Sequence, residues 1–322
     1  MRFKALVLGV LAMACLCRPT SVAQPLPALP PNLLTLPAAS YEIDMVWQGD
    51  SVNSRWEPRY ALLLPVTIPG CNRQFYMQFD TGSPSTLFYR AKLQQIQARF
   101  PKTVTVADTA STLSAFAFRV GAMPVSARQV KLIDYASAAI HWEKPDEITI
   151  IGTIGTDFVE NRVIGIDYPA RKLFTGLTTP AKWSDKVRWA DFIFANRAIL
   201  LPAQLRGKNT LLYFDTGSSA YALLTDKKTT DLLAIPGAQR EQNSSRSWNR
   251  TLTANSVATA DSMLIAFHRL PIRSATYVEG STQRQIDQMM KMGMGGMTGN
   301  KLFTQSILLL DTRTKKFALL GL

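Results

Sequence analysis

The sequence is poor in the residues that most often ligate metals and form covalent crosslinks. It contains 2 histidines and 3 cysteines in 322 residues. His141 and His268 lie outside any cluster of cysteines or carboxylates, which argues against a zinc site and against histidine-based catalysis. Cys15 and Cys17 belong to the N-terminal apolar stretch, so a chain cleaved after it keeps only Cys71 and forms no internal disulfide. We therefore expect no metal and no other cofactor.

Long apolar runs are missing after the N-terminus. Only the start, MRFKALVLGVLAMACLC, approaches the roughly 20 apolar residues that span a bilayer. Arg2 and Lys4 precede its apolar part, and small residues end at Ala23, which is typical of a secretory signal peptide over residues 1–23. Lipid attachment at Cys15 is a second interpretation, which the residues before it favour less because they lack the usual leucine. We expect no integral membrane segment after signal removal.

The scarcity of cysteine also bears on the compartment. Exported chains of this size from animals and fungi often carry disulfides, so a cysteine-poor exported chain indicates a bacterial periplasm or exterior. We therefore expect an exported protein, either periplasmic or secreted.

Acidic residues are outnumbered, with 23 Asp and Glu against 36 Lys and Arg and a formal net charge of +13. Such a surface favours acidic partners or anionic envelope surfaces. The basic residues are scattered, without a run or an aromatic-interleaved cluster, so we expect no nucleic-acid partner. The Pro-rich segment 24–40 is interpreted as an exposed linker or a short leader.

The rest of the chain repeats one pattern. FDTGSPS at 79–85 returns as FDTGSSA at 214–220. Each copy follows two apolar stretches that predict paired strands, and each precedes a predicted helix, the second capped by Thr225. Both halves also end alike, because an aspartate follows Gly155 and Gly299 at the same spacing in a predicted strand, hairpin and strand. Two copies of one β-rich lobe, 41–185 and 186–322, explain the equal spacings.

Two like lobes that pack about a pseudo-two-fold axis bring Asp80 and Asp215 face to face. Two carboxylates about 3 Å apart cannot both ionise cheaply, so the pair holds one proton and has one lowered and one raised pKa. Such a dyad can take a proton from a water and give one to a carbonyl oxygen. We therefore predict that Asp80 and Asp215 are catalytic.

The residues beside each aspartate suit this role. A glycine permits a sharp turn and close approach of backbone N–H groups. A threonine can hydrogen-bond across the axis to the other lobe, and a serine can donate to the outer carboxylate oxygen. The residues predicted to support the dyad are Thr81, Gly82, Ser83, Thr216, Gly217 and Ser218.

With these residues the chain resembles a bilobal aspartic protease of the pepsin-like kind, as an exported bacterial member, over about residues 41–322. The FDTGS motifs resemble the catalytic loops of that family. Thr153-Ile154-Gly155 and Met297-Thr298-Gly299 resemble the hydrophobic-hydrophobic-glycine segment that packs behind each loop. The resemblance implies an all-β fold of two similar lobes with a cleft between them. It also implies an aspartic-type endopeptidase that acts as a monomer on peptides or unfolded proteins.

The sequence departs from the family at the flap, the hairpin that covers the cleft. The matching region is 103–118, with ADTAS as its tip, and it lacks the usual tyrosine and glycine. The tip residues Asp108, Thr109 and Ala110 are candidates for substrate contact, and an ordinary exposed turn is the alternative. Thr298 stands where an apolar residue is expected, and its hydroxyl needs a backbone partner. Segment 241–250 is predicted to be a surface loop.

The function predicted from these patterns is hydrolysis of peptide bonds by a water that Asp80 and Asp215 activate. Two alternatives remain open. The altered flap region permits a catalytically weak or silent peptide-binding protein on the same scaffold. The chemistry also suits a protease dedicated to one processing cut in an envelope protein.

Overall fold

The computed structural model describes residues 31–52, 55–247, 250–279 and 293–321. The predicted signal peptide and the first part of the Pro-rich segment lie outside the described residues. Among the described residues, no helix is long and apolar enough to cross a membrane.

The described chain consists mainly of strands. The first half contains β1 (Leu34–Thr35), β2 (Tyr41–Asp44), β3 (Val46–Val52), β4 (Arg55–Thr67), β5 (Phe75–Phe79), β6 (Leu87–Tyr89), α1 (Arg90–Arg99), β7 (Thr112–Val120), β8 (Met123–Ile133), β9 (Ile150–Ile154), β10 (Val163–Asp167) and β11 (Lys172–Gly176). The second half contains α2 (Ala181–Ser184), β12 (Ala190–Asp191), β13 (Ile193–Ala195), β14 (Ala198–Leu205), β15 (Lys208–Phe214), β16 (Leu223–Leu224), α3 (Lys227–Leu233), β17 (Glu241–Ser247), β18 (Arg250–Ala258), β19 (Ser262–Ile265), β20 (His268–Pro271), β21 (Ser274–Glu279), β22 (Met294–Thr298), β23 (Ile307–Asp311) and β24 (Lys316–Leu320).

Each half builds one sheet in the same way. In the N-terminal lobe the order is β1-β8-β6-β9-β5-β4-β3, with β7 paired to β4 and β8. In the C-terminal lobe it is β17-β18-β21-β16-β22-β15-β14-β19-β20, with β13 beside β14. In both, the strand before FDTGS pairs in parallel with a later strand, β5 with β9 and β15 with β22, and both ladders carry a bulge. These equivalent ladders confirm two similar lobes.

A third sheet joins the lobes, in the order β12-β24-β23-β10-β11-β2. The predicted strand–hairpin–strand units form it, and β10 pairs antiparallel with β23 from Val163↔Asp311 to Asp167↔Ile307. In the two hairpins Arg171 and Lys315 take the same left-handed conformation, with φ of 54° and 56°. The central pairing relates the lobes by a pseudo-two-fold axis.

The core lies where the strands present apolar side chains to one another. In β7 and β8 buried and exposed residues largely alternate, as expected for strands with one face in the core. In the N-terminal lobe the rings of Phe116 and Phe118 both meet Phe88 edge to face at 5.2 Å. Cys71 is a free, buried cysteine.

Three local predictions differ from the structure. The predicted flap hairpin over 103–118 does not form, because segment 103–107 is not a strand. Strand β7 instead forms a hairpin with the following β8, which offers a longer ladder than the five residues of 103–107. Residues 241–247 form β17, paired with β18, rather than a surface loop. The α3 cap is Asp226, whose side chain accepts a hydrogen bond from Thr229 N at 2.9 Å, while the Thr225 hydroxyl donates to Gly295 O.

The described part of the Pro-rich segment is attached to the N-terminal lobe, unlike the exposed linker that its composition predicts. Strand β1 pairs with β8, and Asn32 Nδ2 donates to Asp157 O at 2.7 Å. The buried guanidinium of Arg162 donates to Pro37 O at 2.9 Å. Carbonyl groups that proline-rich chains leave unpaired are thus satisfied by a buried donor.

Candidate active site

Asp80 and Asp215 occupy equivalent positions at the ends of β5 and β15. The amide of Asp80 donates to Ile154 O, and the amide of Asp215 donates to Thr298 O, both at 2.9 Å. The parallel neighbour in each lobe therefore fixes the backbone from which the carboxylate projects. The Thr298 hydroxyl donates to Ala222 O at 2.8 Å, the backbone partner that its buried position requires.

The two threonines form a reciprocal set of hydrogen bonds between the lobes. Thr81 Oγ1 donates to Phe214 O at 2.8 Å, and Thr216 Oγ1 donates to Phe79 O at 2.7 Å. Each hydroxyl also accepts the amide of the other threonine, at 2.9 and 3.0 Å. All four bonds are buried, so the loops that carry the aspartates are fixed relative to each other.

The two glycines bring both loops against the opposite carboxylate. The amides of Gly82 and Gly217 donate to the Oδ1 atoms of Asp80 and Asp215 at 2.9 and 2.8 Å. A Cβ on Gly82 would lie 2.6 Å from Asp215 Oδ1, and a Cβ on Gly217 would lie 2.6 Å from Asp80 Oδ1. No larger residue fits at either position without moving a carboxylate.

The two serines differ, and here one prediction is wrong. Ser218 Oγ donates to Asp215 Oδ2 at 2.9 Å, as expected, whereas Ser83 Oγ donates to Ser85 O at 2.9 Å and not to Asp80. In the part of the chain that the structure describes, Asp80 Oδ2 is buried and receives no hydrogen bond from an N–H or hydroxyl group. A nearby carbonyl competes for the Ser83 hydroxyl, and the dyad is therefore asymmetric.

Burial and the close approach of the carboxyl groups decide their charge. Both aspartates are fully buried at 0% exposure, and their side chains lie within hydrogen-bonding distance of each other. Burial raises the pKa of Asp80 well above its usual value, and the charge of Asp215 adds to this rise. Burial also raises the pKa of Asp215, to about 6, against hydrogen bonds from Asp80, Ser218 and Gly217.

This differs from the predicted pair of one lowered and one raised pKa, because burial outweighs the stabilising hydrogen bonds at both aspartates. Asp215 has more donors, so it ionises first and Asp80 keeps the shared proton.

Two tyrosines that sequence reasoning missed, Tyr89 and Tyr213, lie near the dyad. The charge of Asp80 contributes to the raised pKa of Tyr89, after burial and the nearby Tyr135. The rings of Tyr89 and Tyr135 stack at 4.4 Å. Tyr213 donates to Thr81 O at 3.4 Å. Tyr60 on β4 and Tyr213 both pack against the apolar cluster of the C-terminal lobe that contains Tyr221. Tyr89 closely follows the first FDTGS motif and Tyr213 directly precedes the second. This proximity in the sequence is the signal from which both could have been predicted to lie near the dyad.

The predicted flap-tip residues lie in a turn beside α1. Asp108 accepts a hydrogen bond from Gln94 Nε2 through its side chain and from Arg90 Nη1 through its carbonyl, both at 2.9 Å. Ala110 N donates to Ala107 O at 3.0 Å, which closes the turn. The structure does not bring Asp108, Thr109 or Ala110 to the dyad through any hydrogen bond of the described residues.

A cavity of about 370 Å³ opens beside the loop that follows Asp215. The β3–β4 hairpin forms one wall with Trp56 and Glu57, and the C-terminal lobe forms the other with Tyr221, Arg273 and Lys301. The Trp56 ring lies on Gly49 and is 67% exposed. Lys301 Nζ donates to Glu57 Oε2 at 2.7 Å and so ties the two walls together.

The fold is similar to that of a solved structure. A crystal structure of the aspartic proteinase from Irpex lacteus superposes with a TM-score of 0.50 over 88% of this chain and 97% of that chain, at 12% identity. The fold is that of a bilobal pepsin-like aspartic proteinase. No protein-family model matches the sequence, and no curated protein matches it. At this identity the pepsin-like likeness concerns the fold alone.

Proposed function

We propose that the protein is an aspartic endopeptidase in which Asp80 and Asp215 activate a water for attack on a peptide bond. The observation that carries the proposal is the pair of carboxyl groups within hydrogen-bonding distance, each held by equivalent loops of two lobes. A dyad that shares one proton can act as base and acid in the same step.

The asymmetry assigns the roles. The Asp215 carboxylate accepts a proton from the water, whose oxygen bonds to the carbonyl carbon, while Asp80 gives its proton to the carbonyl oxygen. The resulting tetrahedral diol then breaks its C–N bond as Asp215 returns its proton to the leaving nitrogen. Asp80 regains a proton from a diol hydroxyl, so the dyad ends as it began. The higher pKa of Asp80 supports its role as the acid.

The substrate is a peptide or an unfolded protein, bound as an extended chain across the cleft. The cavity between the β3–β4 hairpin and the C-terminal lobe offers room of about 370 Å³ for substrate side chains, next to Ala220 and Tyr221 of the loop that follows Asp215. The protein acts as an exported monomer, periplasmic or secreted, with 1–23 removed as a signal peptide and 24–30 preceding the described fold. Lobes 41–185 and 186–322 each supply half of the site.

A peptide-binding protein without activity is the second candidate. It is favoured by the complete burial of both carboxyl groups and by the Ser83 hydroxyl, which bonds to Ser85 O rather than to Asp80. Against it, a binding protein has no use for two carboxyl groups in contact, since their mutual repulsion costs stability.

Cleavage of an unfolded protein over a wide pH range tests the proposal. We expect cleavage that a pepstatin-like inhibitor blocks and that Asp80→Asn abolishes while the variant remains folded. Absence of cleavage at every pH, with a peptide still bound, would establish the binding protein instead. Mass spectrometry of the products then distinguishes general digestion, with many sites, from a processing protease with one.

A further inference from the structure

The loop that follows Asp80 is held by hydrogen bonds to two other parts of the chain, residues 156–157 and Arg197. Residues 83–86, which follow the Asp80-Thr81-Gly82 turn, are referred to below as the 83–86 segment. Thr156 N donates to Ser83 O at 2.8 Å, and Arg197 Nη1 donates to Pro84 O at 3.4 Å. Asp157 contacts the other end of the segment, where its Oδ2 accepts Thr86 N at 2.8 Å and its Oδ1 accepts Thr86 Oγ1 at 2.7 Å.

Asp157 is the unusual member of this set. Its carboxylate is buried, at 5% exposure, and both its oxygens bind a single residue of the 83–86 segment. Asp157 follows Gly155 by two residues, and the equivalent residue after Gly299 is Lys301, which turns away to Glu57. Among the described residues, a buried carboxylate of this kind therefore serves Asp80 alone. The loop after Asp215 is held instead by the neutral side chain of Asn300, whose Nδ2 donates to Thr216 O at 2.9 Å.

The charge of Asp157 is costly in this place. Burial raises its pKa to about 6, although the Thr86 donors and the positive charge of Arg197 oppose the rise. Arg197 is itself bound to Glu160, with Nε to Oε2 at 3.1 Å. A neutral amide has the same shape and could still accept Thr86 N, so fold stability alone gives no reason for a carboxylate here.

We propose that Asp157 is a positioning residue for Asp80, which by its charge fixes the Thr86 amide and hydroxyl and thereby the 83–86 segment beside the dyad. The inference rests on the proposed function for its effect on the reaction. The ionised carboxylate accepts both Thr86 donors, which leaves Thr86 Oγ1 able to accept Gly155 N at 3.2 Å. A protonated or amidated side chain must donate to Thr86 Oγ1 instead, so the hydroxyl proton turns away and the bonds rearrange.

The test compares Asp157→Asn and Thr86→Val with the wild type, and uses Asp167→Asn as the matched control. Asp167 caps a turn at Ala170 N in the interlobe sheet and does not touch the 83–86 segment. We expect Asp157→Asn to lower kcat about tenfold with KM nearly unchanged, because a small displacement of a reacting group lowers the rate at a given affinity. Thr86→Val should lower kcat in the same direction, and Asp167→Asn should leave it unchanged.

The pH profile separates positioning from structural support. Asp157 and Asp215 both take up protons near pH 6, so log kcat of the wild type should fall towards acid with a slope above about 1 just below that pH. At more acid pH the slope should return to about 1, because the enzyme with a neutral Asp157 keeps about a tenth of the rate. In Asp157→Asn the slope should be about 1. The melting temperature of this variant at neutral pH should equal or exceed that of the wild type, since a buried charge is removed.

Amide hydrogen exchange tests the positioning without any catalysis. In Asp157→Asn the peptide covering 80–89 should lose protection, while the two-fold equivalent covering 215–224 should not. Unchanged protection in 80–89 overturns the proposal whether or not the protein cleaves peptides. A kcat and pH slope like those of the wild type also overturn it, as does a loss of activity that only follows a loss of folded protein. If Asp157→Asn loses protection in 80–89 but the wild type never cleaves peptides, the positioning role of Asp157 is supported and the endopeptidase is rejected.

Discussion

Replacing Asp215 by asparagine should make the protein more stable at neutral pH. In the folded chain the pKa of Asp215 is raised from 3.8 to about 6. Because the pKa is higher in the folded chain, this group contributes its full stabilisation at pH values below the pKa of the unfolded chain. That contribution to the free energy of unfolding is lost as pH rises through about 6. Above that pH the folded state carries the full cost of a buried charge, which asparagine removes.

The size of the effect follows from the shift. About 2 pH units at roughly 1.4 kcal/mol each give ~3 kcal/mol at neutral pH and close to none at about pH 3.5. The hydrogen bonds from Gly217 and Ser218 can be kept, because the Asn oxygen can accept Gly217 N and the Asn amide can donate to the Ser218 hydroxyl, which also lies 3.2 Å from Met297 Sδ. For a chain of this size the melting temperature should rise by about 5 °C.

The assay is thermal melting of Asp215→Asn and the wild type at about pH 3.5 and 7.5, with Asp167→Asn as the control. We expect a difference at the higher pH alone and none for the control. A lower melting temperature at neutral pH would refute the reasoning, and so would an equal shift at both pH values, because neither arises from a buried charge.

Four further predictions concern the same site. Asp80→Asn and Asp215→Asn should each lower peptide cleavage by orders of magnitude, and the double variant should lose little more, because the two carboxyl groups act as one unit. A folded single variant that cleaves as fast as the wild type would contradict this. Cleavage measured from acid to alkaline pH should rise as pH passes about 6, where Asp215 ionises, and fall when Asp80 loses its proton; a maximum well below that pH would contradict the assignment. Gly82→Ala should reduce kcat by about 100-fold, because its Cβ would lie 2.6 Å from Asp215 Oδ1, and single-turnover rates would show it. Thr81→Val removes the hydroxyl that donates to Phe214 O and accepts Thr216 N, so urea unfolding should show a loss of about 3 kcal/mol.

Much of the site follows from the repeat in the sequence. Because FDTGS occurs twice in register with a larger pattern, the facing aspartates and the crossed threonine bonds could be predicted from symmetry. The repeat indicated two β-rich lobes, and the resemblance that its motifs carry implied the bilobal pepsin-like fold, which the structural likeness confirms.

Where symmetry fails, local competition decides, and the sequence does not reveal its outcome. Ser83 and Ser218 occupy equivalent positions, yet the Ser83 hydroxyl donates to Ser85 O whereas the Ser218 hydroxyl donates to Asp215 Oδ2. Thr225 and Asp226 are both good caps one residue apart, and the carboxylate is the stronger acceptor for a helix N-terminus. Strand β7 forms its hairpin with the following β8 rather than with the preceding segment 103–107, which forms no strand. Asp157 stands in a repeated segment whose spacing says nothing of where its side chain points.

The five-residue pairing of β10 with β23 makes the molecule comparable to a dimer whose subunits have been covalently linked. In a symmetric dimer every substitution appears at both halves of the site, so no residue can serve one aspartate alone. Linkage removes that restriction. One copy can hold a buried carboxylate at Asp157 while the other uses Lys301 for an ion pair between the lobes. The two aspartates are thereby free to differ in acidity while the ladder between the lobes keeps their geometry equivalent.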